Sequence, residues 1–129
     1  MIDLSKPYLE NITLIYEPTG EKFHFSYRLP TTSEMRAYMN EFARTSTEPD
    51  KVSEDFPINH VSPILVSIGE NEWGADGKAI SSDPKSPDYA SDWKEQVLKN
   101  DLARTFVSRI AGIAFLCVSG EKKVPFSTN

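Results

Sequence analysis

Apolar residues recur at every second position over Ile12, Leu14 and Tyr16, and after Glu17-Pro18-Thr19-Gly20 the alternation resumes over Phe23, Phe25, Tyr27 and Leu29. A period of two on both sides of a Pro- and Gly-containing turn predicts a β-hairpin with one aromatic face. The other face of its second strand carries Lys22, His24, Ser26 and Arg28, which suits solvent. An isolated hairpin is marginal in water, so the Phe23/Phe25/Tyr27 face needs a packing partner, and helices are the available one.

The period then changes. Thr31 and Glu34 have the spacing of a capping box, in which each side chain satisfies the other residue's backbone N–H. Met35, Tyr38, Met39 and Phe42 follow at i, i+3, i+4 and i+7, one apolar stripe of a three-turn helix. Residues 45–57 contain Glu48-Pro49-Asp50 and Glu54-Asp55 with few apolar anchors, the pattern of a mobile acidic loop. Over residues 58–68 the apolar positions fit a helix, and Ile64-Leu65-Val66 also suits a buried strand; Ser62 as N-cap and Pro63 at the first helical position favour the helix. Residues 69–90 carry Gly74, Gly77, Pro84 and Pro87 and read as a second mobile loop, with a small turn at Asp76-Gly77.

Asp92 and Glu95 give a second capping signal, followed by Trp93, Val97, Leu98, Leu102, Phe106, Ile110, Ile113 and Cys117 before Gly120. This spacing predicts one helix of about 26 residues over 93–118, roughly 39 Å long, with Gly112 as its weak point. Glu95 with Lys99 and Asp101 with Arg104 are placed for surface ion pairs on its polar side. The expectation is a single α+β domain over residues 1–129, an N-terminal hairpin packed on a few helices including a long C-terminal one.

Composition changes this picture only by exclusion. A net charge of −5 and a pI near 5.0 leave no cluster of Lys and Arg for a phosphate backbone, so nucleic acid is not expected as a partner. The longest apolar stretch, 110–118, is about half of what spans a bilayer, and residues 1–7 lack the basic and apolar regions of a secretory signal, so no membrane association and a cytoplasmic location are expected. Cys117 is the one cysteine and lies in an apolar run, where a thiol packs as a small hydrophobe.

Few residues invite chemistry. Aligning Asp76, Gly77 and Asp83 with a calcium loop puts Gly74 where a carboxylate is required. His24 and His60 lie in separate elements with no further Cys or His at ligand spacing, so no metal and no cofactor are expected. No nucleophile elbow, P-loop or zinc-protease motif occurs. A small ligand-binding domain or enzyme assembled from distant carboxylates such as Asp76 and Asp88 stays open as an alternative. The stretch 110–118 is apolar all round and must be enclosed, either by the domain's own core or by a second chain, which leaves self-association open too.

Ile64-Leu65-Val66-Ser67-Ile68-Gly69, Glu70-Asn71-Glu72-Trp73-Gly74 and Ala75-Asp76-Gly77-Lys78-Ala79-Ile80 resemble a stretch of phage tail assembly chaperones and related tail proteins. Arg28-Leu29-Pro30-Thr31 at the entry to a helix, and the long C-terminal helix, are similar in order and spacing. The resemblance implies a non-enzymatic protein of the infected host's cytoplasm that binds a long, helical, aggregation-prone tape-measure client until tail-tube protein assembles around it. An apolar groove for such a client would draw on Met35, Tyr38, Met39 and Phe42 together with Ile110, Ile113 and Phe115, since Met-rich surfaces adapt to varied helices. The acidic 45–57 loop and the Pro-rich 82–89 loop depart from the pattern and leave a structural tail adaptor open. The resemblance further implies a longer form made by frameshifting near Glu121-Lys122-Lys123 and contacting tail-tube protein, although two lysines there also complement a helix C-terminus.

Overall fold

A computed structural model describes residues 8–116 together with residues 1, 3, 5, 6, 123 and 124. The expected hairpin is present and longer than its alternation: β1 (Leu9–Tyr16) pairs antiparallel with β2 (Glu21–Arg28), with Ile12 opposite Phe25 and Leu14 opposite Phe23. Period-two placement puts Leu14, Phe23, Phe25 and Tyr27 in the core, and Lys22 and His24 in solvent. Arg28 departs from the expected solvent face: it is half-buried and paired with Glu34.

Helix α1 (Thr32–Thr47) begins at the capping box, where Thr31 Oγ1 accepts from the Glu34 N–H at 3.2 Å and the Thr31 N–H donates to Glu34 Oε1 at 2.8 Å. It runs about a turn beyond Phe42 into the segment expected to be loop. A 3₁₀ turn over Pro49–Lys51 follows. Residues 53–55 are tied back: the Ser53 N–H donates to Glu41 Oε2 at 3.2 Å, and Asp55 pairs with Arg104 at 2.7 Å.

The segment 58–68 overturns the expected helix. Only α2 (Ile58–Val61) is helical; the Ser62-Pro63 signal starts no helix, and Leu65–Ile68 is strand β3, antiparallel to β2 with Phe25 opposite Ile68 and Tyr27 opposite Leu65. Tertiary pairing decides between two local options of similar merit, and a bulge at Val66 lets both Leu65 and Ile68 face the core. Within 69–90 the Asp76-Gly77 turn closes a small second hairpin, β4 (Trp73–Ala75) and β5 (Lys78–Ile80). Asp76 and Gly77 both have positive φ, 54° and 76°, as a type I′ turn demands. Ser82 continues the segment by capping the end of β3, its hydroxyl accepting from the Ile68 N–H at 3.0 Å.

The expected single long helix is two helices, α3 (Trp93–Val97) and α4 (Asp101–Leu116). The break is at 98–100 rather than at Gly112: Asn100 Oδ1 accepts from the Ala103 N–H at 3.0 Å, the contact of an N-cap, and so starts α4 afresh. Asp92 precedes α3 without capping it by its side chain. Arg104 pairs with Asp55 rather than with Asp101. A strand not expected from the pattern, β6 (Lys123–Val124), runs parallel to β1 beside Ile15 and Tyr16, giving the sheet order β3-β2-β1-β6. Cys117, Val118, Gly120, Glu121 and Lys122 lie outside the described residues.

The aromatic face of the hairpin packs on α4. Phe106 sits 5.0 Å from Phe23 and 6.0 Å from Phe25, and Trp73 of the small hairpin closes the cluster at 4.9 Å from Phe23. Ala103, Phe106, Val107, Ile110 and Ala111 are fully buried, one stripe at i, i+3, i+4, i+7 and i+8. The fold class is therefore α+β, a hairpin-containing sheet carrying several helices.

Candidate functional site

The seven residues marked as a groove divide by exposure. Tyr38, Ile110 and Phe115 are buried, Met35 and Ile113 are half-buried, and Met39 and Phe42 are exposed at 44% and 41%. Helices α1 and α4 do meet, because Tyr38 stacks on Phe115 with centroids 4.4 Å apart and planes 8° apart. That stack is interior packing, so the two helices share a core seam where an open groove had been expected. Of the seven, the two left to solvent, Met39 and Phe42, lie on the outer side of α1. There Phe42 stacks against the far side of the seam, 6.1 Å from Tyr38.

Polar groups fasten this flank. Glu41, on the turn between Tyr38 and Phe42, points its Oε1 at His60 Nε2, 2.6 Å away, while Oε2 takes the Ser53 N–H. The hydrogen bond from His60 holds the Glu41 carboxyl below the usual carboxylate range, against the opposing effect of its partial burial. The His60 ring is boxed edge-on by Tyr38 at 5.4 Å, Phe56 at 5.5 Å and Phe115 at 6.2 Å. This pair therefore pins α1 to α2 at the residue that precedes the exposed Phe42. At the start of α1, Arg28 grips Glu34 through two bonds, 2.7 and 2.9 Å, and together with the Thr31 backbone brings that carboxyl down to about 2.

The second histidine does comparable work on the sheet. Glu72 binds both the His24 ring and the His24 N–H, the latter at 2.7 Å, and its carboxylate lies over Gly69 where a Cβ would collide with it. Neither pair had a local signal, since the partners stand 19 and 48 residues apart. Among the described residues no three His, Cys, Asp or Glu side chains gather as metal ligands, and no helix is long and apolar enough to cross a membrane. The carboxylates Asp76 and Asp88 both border a shallow depression over β4 and β5.

Compared with known proteins, the chain matches no family model, no curated protein and no solved structure. Helix α1, fastened by these polar pairs, turns two neighbouring apolar side chains, Met39 and Phe42, outward.

Proposed function

We propose that this protein is a non-enzymatic component of phage tail assembly that holds a helical, tape-measure-like client on the outer side of α1. One observation carries the reading. Met39 and Phe42 are exposed at i and i+3 on a helix that the capping box, the Arg28–Glu34 pair and the Glu41–His60 pair hold in place. A client helix laid there would cover a flexible thioether and an aromatic ring, a combination suited to varied apolar partners. The resemblance of residues 28–31 and 64–80 to tail assembly chaperones supplies the identity of the client. Tyr38, Ile110 and Phe115 drop out of the contact set because they are committed to the core.

The reading is tested by co-expression with a long, helical, tape-measure-like protein as the client. The client's soluble fraction should rise several-fold with the native chain and return to its level alone with the double variant Met39→Glu, Phe42→Glu. An unchanged rescue by that variant, with its fold verified by circular dichroism, removes α1 as the client surface.

A further inference from the structure

Between α3 and the outer edge of β3 lies an open cleft of about 510 Å³, remote in sequence from the α1 surface. Its apolar wall is Leu65, Val66, Trp93 and Leu98, and its cationic group is Lys94. Lys94 is held in position: Nζ donates to the Ser62 carbonyl at 2.7 Å and stands 5.6 Å from the centre of the Trp93 ring. An ammonium has three N–H donors, so two remain for another acceptor. Among the described residues no carboxylate lies within ion-pair distance of Lys94. The nearby guanidinium of Arg28 is bound by Glu34, whereas Lys94 is half-buried without a counter-charge. Burial, and secondarily Arg28, pull its pKa down, which is the signature of an ammonium that would gain from an anion.

The rim limits what that anion is. Asp92 and Glu95 also border the cleft; both residues are exposed, and Asp92 Oδ1 is occupied by the Gln96 side-chain amide at 2.8 Å. Two acidic groups at the mouth oppose a polyanion such as a phosphate chain and tolerate a single carboxylate that reaches past them to Lys94. We propose that this cleft binds a monocarboxylate on a branched apolar body, its oxygens on Lys94 Nζ and its carbons against Leu65, Val66 and Leu98. The same chemistry is offered by a free aliphatic acid and by a peptide chain ending in leucine. This site is independent of the α1 client surface.

The probes are 4-methylpentanoate and an acetylated tripeptide Ala-Ala-Leu with a free carboxylate, each beside its amide, followed by NMR at the Trp93 indole and the Leu65 and Leu98 methyls. Ligands of this size bind with dissociation constants on the order of 1 mM when the fit is good. Saturable shifts at these groups are expected with the carboxylates and not with the amides, and the tighter of the two acids tells free acid from chain terminus. Lys94→Met, which keeps the stem over Trp93, should weaken binding at least about tenfold. Val66→Asp, at an exposed position, should weaken it by repulsion in the same sense. Absence of saturation with both acids at about twenty times that constant, equal shifts from the amides, or unweakened binding by a folded Lys94→Met or Val66→Asp chain each overturns the assignment.

Discussion

Phe106 and Phe115 lie on the same helix, and what surrounds them differs in kind. Phe106 is enclosed by rings of the sheet and the small hairpin, with Phe23, Phe25 and Trp73 all within 6.2 Å. Phe115 stacks on Tyr38 in a seam whose outer layer is polar and charged, with His60, Glu41 and then the exposed Phe42. The sheet side of α4 therefore rests on buried area, which is insensitive to pH, while the α1 side adds ionisable fasteners to a thinner apolar layer. A helix that must present apolar groups to solvent cannot be held by burying those same groups. Hydrogen-bonded polar pairs supply the attachment instead.

The sharpest test of that contrast is on the sheet side. Phe25→Ala removes a ring that is 2% exposed and touches both Trp73 and Phe106, and should cost about 3–5 kcal/mol in a denaturant titration, with the slope unchanged. A loss under about 1 kcal/mol would mean that the sheet–α4 interface is not the principal core.

Next in size is the start of α4. Asn100→Ala deletes the acceptor for the Ala103 N–H and should destabilise by about 1 kcal/mol, whereas Asn100→Asp should keep most of the stability. Hydrogen exchange should show the loss as faster opening of the first turn of α4. If Asn100→Ala instead stabilises the chain, α3 and α4 have fused into the continuous helix that the apolar spacing alone suggests.

That spacing explains how much could be read in advance. The hairpin and the start of α1 were legible because alternation and a capping box are local patterns, written within eight residues. The break at 98–100 was not, since Leu98 and Leu102 sit at i and i+4 and carry the apolar stripe straight across it. Strand β3 was concealed because Leu65-Val66-Ser67-Ile68 acquires its identity from its register with β2, forty residues earlier. The candidate surface was half legible. The Met35/Tyr38/Met39/Phe42 stripe was found as a set, but which members face inward depends on where α4 places Phe115. Glu41 and His60 carried no signal, because a hydrogen-bonded pair between separate helices leaves no spacing to recognise.

The α1 flank should respond to acid through Glu34 and Glu41. The folded pKa of Glu34 is about 2 against an ordinary 4.5, so its contribution is fully present above about pH 4.5 and is lost as pH falls toward 2. Glu41, lowered in the same direction, adds to the same window. Glu34→Gln retains an N3 side chain able to complete the capping box but loses the charge for Arg28. Both side chains are about a third exposed, so solvent screens the pair, and the expected cost at pH 7 is about 0.5–1 kcal/mol. Measured across pH 7 to 2, the variant should lose stability less steeply than the native chain and meet it near pH 2. Parallel curves would show that Arg28–Glu34 is not a working fastener.

The smallest expected effect on stability is at Met39. Its side chain is 44% exposed on the middle of α1, and replacing it with alanine exchanges a modest amount of half-buried thioether for the best helix-forming residue. These terms oppose each other, and the net change should stay within about 0.5 kcal/mol. The value of the measurement lies in its neutrality. If Met39 were part of the α1–α4 seam as Tyr38 is, Met39→Ala would cost about 2 kcal/mol or more, as buried methionines do. A near-zero change in stability together with weakened client binding would separate the two layers of α1, the inner one that folds the chain and the outer one available to a partner. A near-zero change in both would leave Phe42 as the contact and restrict the surface to a single ring, less than a client helix read at i and i+3 requires.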